Sequence, residues 1–260
     1  MISRSVPVVK IALIDTAICS CLGISPSVWR SSKVEAASDA TRPVLPACGQ
    51  NIHGSLCATI ILAIGIEVEF LIFEIVDPQG ETTTEDLTVA IEAAIAQEAD
   101  IINVSIGTGS MRGIGALARA CKRAAERHIP LVAAMGSTEH PFAPAVFADC
   151  ISVEMRMSAD SFSLGTPSSP YGDISACGSF SFSCSHRASP LNSRGSSFSA
   201  AVVSGWIARA IALGTWNKTW SQEEMIGHLI DQSNSNASLP ETCSALSSAR
   251  PCITFPTKAL

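Results

Sequence analysis

Two hydrophobic periods alternate along the chain. Continuous apolar runs at Val8–Ile14, Val68–Val76, Asp100–Ile106, Ile129–Met135 and Cys150–Met155 have the length and composition of strands buried on both faces. Between them, His53–Ile64, Glu85–Glu98 and Gly113–His128 read as helices. The second of these helices opens with acids, where the dipole favours them, and the first should end at Gly65. The third puts Ile114, Leu117, Cys121 and Ala125 on one face and gathers bases toward its C-terminal end. Strands alternating with helices imply right-handed crossovers. The expected class is therefore α/β, with a mostly parallel central sheet and helices on both faces.

The second half reads differently. Ser, Gly and Pro accumulate from Ser158 to Ser196, which predicts loops and short antiparallel pieces. A helix follows over Ser197–Leu213. Another opens at Ser221, whose spacing to Glu224 is that of a capping box. Beyond Ser233 there is little periodicity. With no internal repeat and no dividing linker, one domain over residues 1–260 is expected, with 1–7 and roughly 234–260 peripheral.

Composition narrows the function. Hydrophobic residues make up 47% and charged residues 15%, a balance that favours a large core. A net charge of −6 leaves no basic patch for phosphates, so no nucleic-acid partner is expected. The most apolar stretch, Cys57–Ile66, is far short of the ~20 residues needed to span a bilayer, so no membrane partner is expected either. Pro7 and Lys10 interrupt the N-terminal apolar run, which reads as a strand rather than a secretion signal. Ten cysteines without a CxxC pair read as mostly reduced thiols, which points to a cytoplasmic protein.

Candidate chemistry lies where strands end and helices begin. Asp15 closes the first strand, His53 opens a helix beside Gly54, and Ser197 stands at a loop-to-helix junction. Taken singly, each has an ordinary structural explanation: a turn former, a cap or core residue, an N-cap. Taken together they follow the order acid, histidine, serine, which is one of the chain orders in which hydrolytic triads occur.

The surrounding residues resemble the subtilisin-like serine peptidases, or subtilases. ALIDTA resembles their strand-borne Asp motif, HGSLCATII their His-Gly-Thr motif, and GSSFSAAVVSG their Gly-Thr-Ser motif. INVSIG, LVAAMGS and DISACG resemble intervening family segments in the right order, so the likeness runs from about Val8 to Gln232. It implies a single-domain subtilisin-like fold and a Ser197 nucleophile with His53 as base and Asp15 as its orienting acid. The Ser197 amide and Ser137 would line the oxyanion hole. A peptide or unfolded segment would add as a strand beside Ser105, Ile106 and Gly107 and near Gly80, with Met135 and Gly136 at the first side-chain pocket. No cofactor and no metal are expected: the calcium loop of many secreted members and their pro-domain are not recognisable.

Several positions depart from the family pattern. Ser137 replaces an asparagine whose amide stabilises the oxyanion, and losing such a donor costs about 10²–10³ in turnover. Ala17 replaces a turn glycine, which predicts a negative φ there, and Ala201 replaces a helix proline. Asn103 reads as a buried structural residue, and Glu81 either favours a basic substrate residue or is a solvated loop acid. Two functions stay open. One is a serine endopeptidase, with leader trimming of peptide precursors, or their ligation, as narrower forms of it. The other is a weak or inactive subtilase-fold module that binds peptides.

Overall fold

The computed structural model describes residues 8–18, 24, 29–35, 40–43, 52–76, 81–136, 139–158, 160–183, 190–235 and 253–254. Its spine is a nine-stranded sheet. In chain order the strands are β1 (Val9–Asp15), β2 (Trp29–Glu35), β3 (Ala40–Pro43), β4 (Val68–Glu74), β5 (Ile101–Val104), β6 (Leu131–Ala134), β7 (Ile151–Arg156), β8 (Leu164–Gly165) and β9 (Ile174–Cys177). Across the sheet they run β3-β2-β4-β1-β5-β6-β7-β9-β8. Strands β2, β4, β1, β5, β6, β7 and β9 are mutually parallel, and antiparallel β3 and β8 close the two edges. A smaller sheet pairs β10 (Ser179–Phe182) with β11 (Leu191–Arg194) and β12 (Ile253–Thr254).

Among the described residues, five helices cover the large sheet: α1 (His53–Ala63), α2 (Thr84–Ala96), α3 (Ile114–Glu126), α4 (Ser196–Ala212) and α5 (Gln222–Ser235). The sheet divides two cores. One lies beneath α1 and α4 and holds Ile11, Leu13, Ile60, Ile61, Phe180, Phe198 and Trp206. The other lies beneath α2 and α3 and holds Ile14, Phe73, Leu87, Ile91, Leu117 and Cys121. Both faces of the sheet are thus covered, and strands such as β5 and β6 are buried at every position.

The predicted strands and helices recur within one to three residues of their expected ends. Thr83 caps α2 by accepting a bond from the Asp86 amide, and Glu85 and Asp86 fill its first turn. Ser221 and Glu224 exchange hydrogen bonds as the capping box required, at 2.7 and 3.2 Å. Gly65 follows α1 with φ of 82°, as a helix-ending glycine should. Ala17 is not among the described non-glycine residues with positive φ, in keeping with its replacement of a glycine. The Ser/Gly/Pro-rich stretch holds antiparallel pieces, but it also supplies β9, a fully buried parallel strand of the main sheet.

Helix α4 is the least ordinary element, because it is buried on nearly all sides. It meets α1 at Gly205, where an added Cβ would stand 2.3 Å from Ile64 Cδ1 and 3.5 Å from Ile61 Cα. Gly205→Val should therefore overpack this crossing and lower stability by about 1–3 kcal/mol, read as a reduced urea midpoint with an unchanged slope. Gly227 in α5 has nothing within 4 Å of a built Cβ. Gly227→Ala should raise stability by roughly 0.5–1 kcal/mol, read as a higher midpoint.

Candidate active site

Parallel strands share their ends, so whatever sits at the carboxyl end of β1 lies beside the ends of β4 and β5. Asp15 is there and is completely buried. A buried carboxylate needs partners. The Thr16 amide donates to Oδ1 at 2.6 Å, and His53 Nδ1 lies 2.8 and 2.9 Å from the two carboxylate oxygens.

The position of His53 follows from a close contact between α1 and the chain after β1. The Gly54 amide donates to Thr16 Oγ1 at 2.9 Å. A Cβ on Gly54 would fall 2.4 Å from the Thr16 carbonyl oxygen, so only glycine lets the helix start this near. The His53 side chain as a whole stays 30% exposed. On its inner side the ring packs against Phe198, with centroids 5.3 Å apart. Burial disfavours the imidazolium, but the Asp15 carboxylate outweighs that cost and raises the histidine above its ordinary 6.5. Cys57 adds to the rise only as a thiolate, and burial pushes that thiol upward, so at neutral pH it stays protonated.

Ser197 occupies the first turn of α4, and its neighbours tie it to this corner. Its hydroxyl donates to the Ser105 carbonyl at 2.9 Å. Cys57 Sγ lies 4.0 Å from both the Ser197 carbonyl oxygen and His53 Nδ1. Ser196 Oγ accepts the Gly136 amide at 3.0 Å. Asn103, fully buried, accepts from Ser105 Oγ at 2.7 Å and donates to Ser204 Oγ at 2.9 Å, locking the end of β5 to α4. It is a structural residue, as its place inside a strand suggested.

The structure thus brings Asp15, His53, Ser197 and Ser105 to one corner, with Gly136 bonded to the neighbouring Ser196. Ile106 and Gly107 continue from β5 along the same edge, Ile106 packing on the second core. Met135 is buried within that core rather than facing outward. Gly80 and Ser137 lie outside the described residues. Asp15, His53 and Cys57 place three potential metal-ligating atoms within 4.8 Å of one another. The Asp15 carboxylate already serves His53 and Thr16, and the thiol is neutral, so this trio is better suited to holding a proton than a cation. Two features of the corner had no sequence signal: Cys57 as the packing piece between His53 and Ser197, and Ser196 as the anchor of Gly136. Both depend on contacts between segments remote in sequence.

Comparison with known proteins gives the family and the fold. A family model described as the subtilase family matches residues 8–245. The chain belongs to the subtilase family, and it is accordingly a serine endopeptidase of the subtilisin type. Among solved structures, a cold adapted subtilisin-like serine proteinase superposes with a TM-score of 0.66 at 20% identity, covering 86% of this chain and 81% of its own. A lanthipeptide protease does so at 0.63 and 17% identity, covering 85% and 78%. A mutant of the protease domain of PatA gives 0.61 and 21%, covering 79% and 81%. Curated protein sequences return no match.

The electrostatic coupling between His53 and Asp15 can be measured without any substrate. In a Ser197→Ala background, the His53 imidazole should titrate above 6.5 by NMR. Asp15→Asn leaves burial as the dominant influence, so the midpoint should then drop below 6.5. A midpoint unmoved by Asp15→Asn would mean that the carboxylate does not set the charge of the ring.

Proposed function

We propose that Asp15, His53 and Ser197 form the catalytic triad of this peptidase and that it processes a peptide or unfolded segment. The observation that carries the reading is the hydrogen-bonded Asp15–His53 pair beside the first turn of α4. A serine hydroxyl attacks a carbonyl only when a base takes its proton. His53 is that base. Asp15 fixes its Nδ1 tautomer and stabilises the imidazolium, then His53 returns the proton to the departing amine.

In the resting arrangement the Ser197 proton is directed to the Ser105 carbonyl. A substrate strand laid beside Ser105, Ile106 and Gly107 brings its own N–H groups to that edge. When one of them takes over the Ser105 carbonyl, the Ser197 hydroxyl is released to His53. Binding and activation of the nucleophile are then a single event.

The oxyanion that forms is placed at the start of α4. There the Ser197 amide belongs to the first turn, whose N–H groups have no partner within the helix, and the helix dipole favours negative charge. Ser137 serves as the second donor in this reading, and Gly80 as part of the opposite substrate edge. Met135, expected at the first side-chain pocket, is instead buried in the second core, so Gly136 carries that role without it.

The finer assignment is a peptide-maturation protease. It is supported by the likeness to a lanthipeptide protease and to the protease domain of PatA. The described cysteines, Cys57, Cys121, Cys150 and Cys177, are free thiols, which fits a reducing compartment such as the cytoplasm.

A fluorophosphonate probe tests the assignment. Wild-type protein should label, and Ser197→Ala should abolish labelling and cut turnover of a cleaved peptide by at least ~10³-fold. A folded wild type that does not label would favour a peptide-binding module. Cleavage that survives Ser197→Ala would move the nucleophile elsewhere.

A further inference from the structure

Phe142 occupies an unusual place. Its residue bridges the two segments that leave the sheet beside Ser197. On one side Ala143 pairs with Thr108, with N–H to O distances of 2.8 and 3.0 Å. On the other, the Phe142 amide donates to the Met135 carbonyl at 3.2 Å. Its side chain lies in the gap between these segments. A Cβ on Gly107 would fall 2.6 Å from Phe142 Cβ, and one on Gly136 would fall 2.5 Å from its Cδ2. Gly109 stands 3.7 Å from the ring by the same measure.

Both walls of this gap are bonded directly to the serine pair. The Ser105 carbonyl accepts from Ser197 Oγ, and the Gly136 amide donates to Ser196 Oγ. With the substrate strand laid along Ser105–Gly107 as proposed above, a residue acylating Ser197 Oγ directs its side chain into the gap between that segment and Gly136. That space already holds a phenyl ring. The ring is not part of a dry core either, since Phe142 remains 41% exposed.

Resting on the catalytic reading above, we propose that Phe142 fills the pocket for the substrate residue just before the scissile bond and restricts it to small side chains. Glycine, alanine and serine fit beside the ring; large aliphatic and aromatic side chains collide with it. Pockets that differ by a few methylenes discriminate by about 10–200-fold, and a whole ring is a larger obstacle. The glycines at 107 and 136 are, on this view, what make room for the ring.

The experiment compares kcat/KM for a pair of peptides identical except for alanine or phenylalanine before the cleaved bond, in wild type and in Phe142→Ala. Wild type should prefer alanine by at least about tenfold. Phe142→Ala should raise the phenylalanine-to-alanine ratio by at least about tenfold, with fluorophosphonate labelling retained. A labelled variant whose ratio is unchanged overturns this proposal and leaves the triad standing. So does a wild type that cleaves after phenylalanine as readily as after alanine, a readout that needs no variant to fold. A wild type that neither labels nor cleaves either peptide overturns the catalytic reading, and this one falls with it.

Discussion

Burial of α4 is the constraint on which the rest of the architecture depends. Helices in α/β proteins usually lay one apolar stripe on the sheet and give the other to water. Here Phe198, Val202, Val203, Trp206 and Ile207 point in several directions and all are buried. Each such side chain stabilises the fold by roughly 1.5–3 kcal/mol, so the helix has one strongly preferred position against β5, β6, β7 and β9 on one side and α1 on the other. The polar residues inside it are matched: Ser199 donates to the Ala176 carbonyl and Ser204 receives Asn103. Trp206 donates its indole N–H to the Phe162 carbonyl. A serine one residue inside the start of such a helix inherits its precision.

The acidic end of the site is fixed by a different force. Asp15 has no access to water, so its charge is tolerable only while the Thr16 amide and the His53 ring stay in place. The helix that delivers His53 carries no side-chain cap and no acid in its first turn. What it has instead is the Gly54 amide on Thr16 and the closeness that Gly54 permits. Dispersion packing therefore locates the serine, electrostatics locates the histidine, and the common strand-end edge of the sheet makes the two meet.

How much of this was legible in the sequence follows from where the physics is local. Long apolar runs declared β1, β4, β5, β6 and β7 because strands covered on both faces have no polar positions to confuse the reading. Strand β9 escaped notice because its four residues lie in a stretch whose Ser, Gly and Pro speak for loops, and only its burial between β7 and β8 makes it a strand. The mixed sequence Trp29–Glu35 gives no clean period, and β2 exists through pairing with β4 and β3. Asp15, His53 and Ser197 were readable as candidates because each sits in a multi-residue motif. Phe142, Cys57 and Ser196 were not, since what distinguishes them is a neighbour some 35 to 140 residues away in sequence.

The same long-range logic explains the cleft. Adjacent parallel strands stand about 4.8 Å apart, too close for anything to enter between them. The segments beyond β5 and β6 separate, and residues 141–143 enter the opening, paired to Thr108 on one side and to Gly136 and Met135 on the other. The inserted segment closes this gap by backbone pairing, with Ala143 buried and Phe142 left partly exposed. It also commits backbone groups: the Gly136 amide is already given to Ser196, and the Met135 carbonyl to Phe142. Among the described residues on this side, the Gly136 amide is thus engaged in holding the segment against α4. On the proposed mechanism, negative charge is met at the first turn of α4, where helix geometry leaves N–H groups pointing outward without a helical partner. A buried helix that could have served packing alone thus presents its first turn, with Ser197, to the Ser105 carbonyl just beyond the end of β5.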